Sequence, residues 1–340
     1  MRGALRDRPV VNTVLATAIA AAAVILIAKA TSADAIGQVF EHFDPLWLAL
    51  VAAVEFVTYP AYVLAYRSIA GIHGHAPLPL PIVTRIVVAG FGPFAFAGGF
   101  GIDKRMLHAL HEDERSAQVR VLALGTLEWA VLAPTACITA IVLLAQRANI
   151  LPSLLWPWAL SVPPCFALAI WASAPRRSAW LMRIGGRRLD LLVQMLEGVY
   201  GVRGLVTRDP MRHLPAWLGI TAYWAADMCA LWASLRVFGL NLGFGKLIIA
   251  YSTGYAATRR SLPLGGAGAT EFLMTYALYW VGAPLAPALA AVLAYRAFNF
   301  LLVAAPALLA HHQLADMLSV DRARLRRALR RHGGRGERAG

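Results

Sequence analysis

Pro263-Leu264-Gly265-Gly266-Ala267-Gly268-Ala269-Thr270-Glu271 interrupts an apolar stretch otherwise long enough to be a membrane span. Earlier in the chain, after Pro93, Gly98-Gly99-Phe100-Gly101-Ile102-Asp103-Lys104 does the same. The two glycine-rich turns read as one motif used twice. Gly98 and Gly265 are 167 residues apart, close to half of the 340-residue chain, which is the spacing left by duplication of a half-length membrane unit. Backbone that leaves the helix inside a bilayer carries N–H and C=O groups that lipid cannot satisfy, so such breaks persist only against protein or a water-filled cavity. For either turn alone the competing reading is tight helix packing through small residues. Repetition, together with the charges beside the turns, favours a transport site.

Composition sets the class. The hydrophobic fraction is 59%, 15% of residues are charged and the mean hydropathy is +0.59, against roughly 25% charged residues in an ordinary soluble domain. Apolar runs of span length occur at Val10–Ala28, Leu46–Tyr66, Val121–Leu144, Leu151–Ser173, Leu214–Leu235 and Leu285–Ala310, while Ile82–Phe100 and Leu247–Gly282 are interrupted by the Pro and Gly clusters. The first run follows Arg2, Arg6 and Arg8 and lacks a small-x-small cleavage site, so it reads as an uncleaved span rather than a signal peptide. Cys137, Cys165 and Cys229 lie inside apolar runs without metal-ligand spacing and read as reduced packing residues.

The net charge of +14 does not point to nucleic acid. Arginines concentrate between Arg176 and Arg212 and again between Arg322 and Arg338, both beside apolar spans, which is the positive-inside pattern. The tail stretch Asp321–Arg331 is compatible with a helix on anionic headgroups or with a solvated tail. With the N-terminus inside, Lys29–Pro45 falls outside and the Arg176–Arg212 connection falls inside. Counting spans between them puts Asp103–Arg120 in the cytoplasm, so Ile82–Phe100 must enter from the cytoplasm and return to it. By the same count Leu247–Gly282 enters from outside and returns outside, although its length also fits a full span plus a short helix.

The expected fold is therefore an all-α polytopic membrane protein of two inverted-topology repeats, with about six full spans and two re-entrant helical hairpins. Its parts are a basic cytoplasmic N-terminus (1–9), a first repeat with the start of the second (10–174, boundary near 147), a basic connection (175–213), the remainder of the second repeat (214–310) and a basic tail (311–340). Arg67 and Gly71 after the second span recur as Arg236 and Gly239, and Glu128 follows Gly98 much as Arg296 follows Gly265. Inner-membrane location with both termini cytoplasmic follows from the charge pattern.

A helix that starts at a glycine turn directs its first N–H groups and positive dipole end at the turn, which suits an anion. Glu55, Glu128, Asp227, Glu271 and Arg296 sit inside expected spans or hairpins, where an ionisable group costs roughly 2.5–3.5 kcal/mol. Arg259 and Arg260 precede the second turn and, with Arg296, have the bidentate geometry for phosphate; an outer interfacial loop is the competing reading for the first two. Glu128 and Arg296 are alternatively a buried ion pair that fixes packing. The candidate substrate-binding set is Arg259, Arg260, Gly265, Gly266, Gly268, Glu271, Arg296, Gly98, Gly99, Gly101 and Glu128. No P-loop, His-Glu-x-x-His or Gly-x-Ser-x-Gly motif is present. His73, His75, His311 and His312 read as interfacial, so no enzyme, metal or cofactor is expected.

Ser261-Leu262-Pro263-Leu264-Gly265-Gly266-Ala267-Gly268-Ala269-Thr270-Glu271, followed by Gly282-Ala283-Pro284 and Ala294-Tyr295-Arg296, resembles the Pro-Gly-Gly-x-Gly-x-x-Glu hairpin and later Tyr-Arg of the lysylphosphatidylglycerol synthase transmembrane domain family. That family includes the flippase half of multiple peptide resistance factors and stand-alone membrane proteins. Arg67 and Gly98-Gly99-Phe100-Gly101 with Lys104-Arg105 are similar to its first half, and the resemblance covers roughly residues 10–312. Two departures stand out: Trp129 follows Glu128 where the family has Glu-Arg, and Pro93 lies five residues before Gly98 rather than beside it. The chain has no room for the soluble aminoacyltransferase domain, so aminoacyl transfer is not expected. The resemblance implies a flippase-like lipid translocator for an amphiphile with an anionic headgroup. The alternatives are a non-transporting scaffold for lipid or envelope biosynthesis and an ion-coupled small-solute transporter, with Glu55 and Asp227 as proton carriers. Expected partners are a phospholipid or other anionic lipid, a second copy of the chain and a lipid-biosynthesis enzyme.

Overall fold

A computed structural model describes residues 9–29, 39, 41–72, 78–95, 98–110, 113–208, 210–255 and 262–317. Among the described residues the chain forms twelve α-helices and no strand. In order they are α1 (Pro9–Lys29), α2 (Leu46–Ala70), α3 (Leu80–Gly90), α4 (Gly98–Ala109), α5 (Glu114–Ala145), α6 (Pro152–Ala172), α7 (Pro175–Gly185), α8 (Asp190–Thr207), α9 (Pro210–Val237), α10 (Phe244–Tyr255), α11 (Ala269–Trp280) and α12 (Leu285–Arg296). α12 passes through a π-helical segment, Ala297–Leu302, and the helix continues to Met317.

Four of these segments are long and apolar enough to cross a membrane by length and composition: α2, α5, α6 and Leu285–Met317. α1 and α9, the other two expected spans, are helices of 21 and 28 residues. Prolines inside α2, α5, α6 and α9 are tolerated because neighbouring helices and local adjustments satisfy the freed carbonyls. α5 begins cleanly because the Asp113 carboxylate accepts from Ser116 N at 2.9 Å.

The frame of the molecule is the pair α2 and α9, which run antiparallel and pack along their length. Phe43 meets Phe238, Trp47 meets Trp232 edge-on at 5.2 Å, and Tyr62 meets Tyr223 at 5.0 Å. Near the far end the backbones approach so closely that a Cβ on Gly219 would lie 2.6 Å from the Ala61 carbonyl and 2.9 Å from Ala65 N. Small residues on both helices make this crossing possible, and the apolar contact it creates replaces contact with lipid tails.

Each interrupted stretch is two short helices rather than one span. α10 and α11 are 12 residues each, about 18 Å long, and neither alone crosses a hydrocarbon core of roughly 30 Å. Gly254 abuts the Met274 backbone while the Lys246 ammonium approaches Gly282, so α10 and α11 run antiparallel. α3 and α4 also pack on one another. Within the Asp103–Arg120 stretch α4 reaches Ala109 and α5 starts at Glu114, and Asp103 and Arg120 are 0% and 2% exposed.

Gly219→Ala should force α2 and α9 apart and cost about 1–3 kcal/mol, the usual penalty for overpacking. Gly204→Ala, whose Cβ would meet only the flexible Arg208 side chain at 3.8 Å, should be close to neutral. Thermal unfolding of both variants in detergent, followed by tryptophan fluorescence, compares them directly.

Candidate functional site

The two glycine turns meet. Leu264 N donates to the Ala95 carbonyl at 3.0 Å, a main-chain bond between the tip of one helix pair and the tip of the other. α1 lies across both turns. The Asn12 amide donates to the Phe94 carbonyl at 3.0 Å, Ala16 packs on Leu264 and Phe300, and Ile19 crowds Gly268. The first tip also rests on the end of the last span, where Phe94 meets the His311 ring at 5.2 Å.

The turns share a local geometry that revises their alignment. Gly98 opens α4 with φ +72° and Gly268 caps α11 with φ +79°, and each lies five residues after a proline, Pro93 and Pro263. An L side chain is strained at such φ, so glycine is required at both. Aligned on helix starts, Gly98 falls with Gly268, although Gly266 in the second turn has a positive φ of +71° as well. In the new register Gly101 stands where Glu271 stands in the second turn.

That carboxylate is the centre of the site. Glu271 Oε2 accepts from Gly268 N at 2.7 Å, so the acid at the third helical position caps its own helix. Glu271 Oε1 accepts from Arg296 Nε at 2.8 Å. The pair is sealed from solvent, with side-chain exposures of 3% and 5%. Arg296 Nη1 also donates to Asn299 Oδ1 at 3.3 Å, and the guanidinium lies 4.5 Å over the Phe300 ring. Asn299 and Phe300 belong to the π-helical segment, whose extra residue per turn is the type of irregularity found at functional positions.

Two further carboxylates are held by tyrosines. The Tyr62 hydroxyl donates to Glu128 Oε1, and Trp224 Nε1 donates to the Glu128 carbonyl at 3.1 Å. Asp227, fully buried on α9, accepts from the hydroxyls of Tyr251 on α10 and Tyr295 on α12, the latter at 2.8 Å. Tyr295 precedes Arg296 directly, so α12 presents a carboxylate-binding hydroxyl and a carboxylate-binding guanidinium in succession.

Several sequence expectations take a different form here. Arg296 forms an ion pair with Glu271 of α11, while the Glu128 carboxylate accepts from Tyr62 on α2. Gly98, Gly99, Gly266 and Gly268 are buried in the turns and Gly101 is half-buried, and Gly265 sits in the short 3-10 turn Pro263–Gly266. Glu55 is 3% exposed on α2. Arg259, Arg260, His73 and His75 lie outside the described residues, as do the arginines of the tail. Among the described residues no three His, Cys, Asp or Glu side chains converge as a metal site. Cys137 is buried, Cys165 exposed and Cys229 half-buried, all as free thiols. Tyr62, Tyr251, Asn12 and Asn299 were not singled out from sequence; a tyrosine or asparagine within an apolar run was the available signal.

The family model for the lysylphosphatidylglycerol synthase TM region matches residues 13–307, a span that includes both turns, Glu128, Asp227, Glu271 and Arg296. The chain belongs to this family. It is accordingly a multi-pass membrane protein. No curated protein matches the chain.

Glu271→Gln or Arg296→Met alone should destabilise the fold by about 3–5 kcal/mol, because each leaves the other partner's polar group buried without its ion pair. The double variant should lose clearly less than the sum of the two. A double-mutant cycle by chemical unfolding in detergent measures this, and additivity would mean that the pair contributes nothing as a pair.

Proposed function

We propose that this chain is a lipid translocator: it moves an amphiphile with an anionic headgroup between leaflets, with no chemical step. Membership of the family and the buried polar system around two broken helix pairs support this reading. The observation that carries it is the double use of Glu271. One internal carboxylate occupies the N–H groups at a helix start and an arginine at once, which are the donors a phosphate would use. The resting protein therefore holds its anion site filled from within. A headgroup phosphate that reaches the turns exchanges for Glu271, taking Arg296 and the α11 N-terminus, and the freed carboxylate is then available to the donors around it.

In the same reading the α3–α4 and α10–α11 pairs are re-entrant hairpins of two inverted repeats, entering from opposite faces of the inner membrane with both termini in the cytoplasm. Their meeting at Ala95 and Leu264 places the exchange between the two entrances. α1 covers the contact and shifts for the pathway to open. Arg259 and Arg260, ahead of the second turn, hold the headgroup on its way in.

A second reading, ion-coupled transport, is favoured by one observation: Asp227 is fully buried and accepts from two hydroxyls, and when the carboxylate takes a proton one hydroxyl can turn to accept it while the other goes on donating. It predicts flux that follows an imposed pH gradient and is lost in Asp227→Asn.

In vesicles reconstituted with fluorescent phosphatidylglycerol, dithionite should bleach inner-leaflet probe rapidly with the wild-type protein. Arg296→Ala and Glu271→Ala should each slow translocation at least tenfold while remaining monodisperse. Unchanged flipping in both variants removes the Glu271–Arg296 pair from the mechanism.

A further inference from the structure

α7 carries a surface that lipid translocation does not use. It departs from the end of α6 at Ala174, whose extended backbone (ψ 132°) breaks the helix, and it runs for only 11 residues, about 16 Å. Its inner face, with Ser178 and Met182, closes a cavity of about 480 Å³ shared with Arg115, Glu197 and Tyr200. Its outer face is apolar at the centre and basic at the edges. Trp180 and Ile184, four residues apart and so stacked on one side of the helix, are 57% and 64% exposed. Arg176 and Arg183 border this stripe on one side and Arg177 on the other, all exposed.

The acidic groups closest in sequence face the other way. Asp190 and Glu197 on α8 both bind Arg115, at 2.7 Å each. The Gln194 amide and the Arg115 guanidinium hold the Asp190 carboxyl below the usual carboxylate range. α7 itself contains no acidic residue, so every charge it carries on its outer face is cationic. Leu191 and Met195 of α8 and Trp171 at the end of α6 are exposed apolar side chains as well. Arg177 caps that end of α6, with its guanidinium 4.2 Å over the Trp171 ring and Nη1 donating to the Trp171 carbonyl at 2.5 Å. α6 is a membrane span by length and composition, which places Trp171 at the boundary where tryptophans settle.

We propose that α7 is an interfacial helix, lying in the headgroup plane of the leaflet at this end of α6 and recognising anionic phospholipid. Trp180 and Ile184 enter the acyl boundary. Arg176, Arg177 and Arg183 reach along the surface to phosphates, where each cation gains from the negative surface potential. This assignment is independent of whether the protein translocates lipid.

The test uses the full-length protein in nanodiscs of phosphatidylcholine with or without phosphatidylglycerol. Amide exchange of residues 175–185 in the wild-type protein should slow several-fold when phosphatidylglycerol is present, and R176E/R177E/R183E should abolish that dependence. Spin labels at Trp180→Cys and Ile184→Cys, with the three native cysteines replaced, should favour oxygen over a water-soluble nickel relaxant in the anionic discs. Equal exchange in both lipid compositions overturns the proposal. Labels shielded equally in detergent and in both discs would mean that a second copy of the chain covers the stripe, which also overturns it.

Discussion

The carboxylate of Glu271 settles two demands that nothing else nearby could meet together. A helix that starts in the protein interior needs its first N–H groups satisfied, and a buried arginine needs a counter-charge; each alone would be costly away from water. Because one side chain answers both, α11 is tied to α12 at the level of the turn, and the π-helical segment after Arg296 is pinned by Asn299 and Phe300. The polar centre is therefore mechanically continuous: movement of the α11 start requires movement of Arg296, and with it Tyr295 and its bond to Asp227.

Around this centre the packing is unequal in kind. α2 and α9 meet through an aromatic series and a close small-residue crossing, a contact that cannot slide without large steric cost. Among the described residues the turns meet through a main-chain bond, and they rest on α1 through the Asn12 amide and Ala16 and on the last span through Phe94 against His311.

Much of this was readable in the chain, for identifiable reasons. Span-length apolar runs and Gly–Pro interruptions are local signals, so helices, breaks and the acidic and basic residues beside them could be placed from sequence. What could not be read was pairing and local backbone geometry. That Arg296 meets Glu271 depends on how distant helices pack, and that Gly98 and Gly268 both start a helix with positive φ depends on the course of the chain. Tyr62 and Tyr251, on Glu128 and Asp227, were passed over because a tyrosine in an apolar run is ordinary until a carboxylate is found against its hydroxyl.

The bond between Ala95 and Leu264 uses a carbonyl and an N–H that every non-proline residue possesses. Its formation depends on the course of the backbone and hardly at all on which side chains line the seam. Residues there can drift through evolution without loosening the contact, and an alanine scan would pass over it in silence. The most intimate meeting of the two turns is thus written in chain geometry, where neither residue identity nor substitution tables have any purchase.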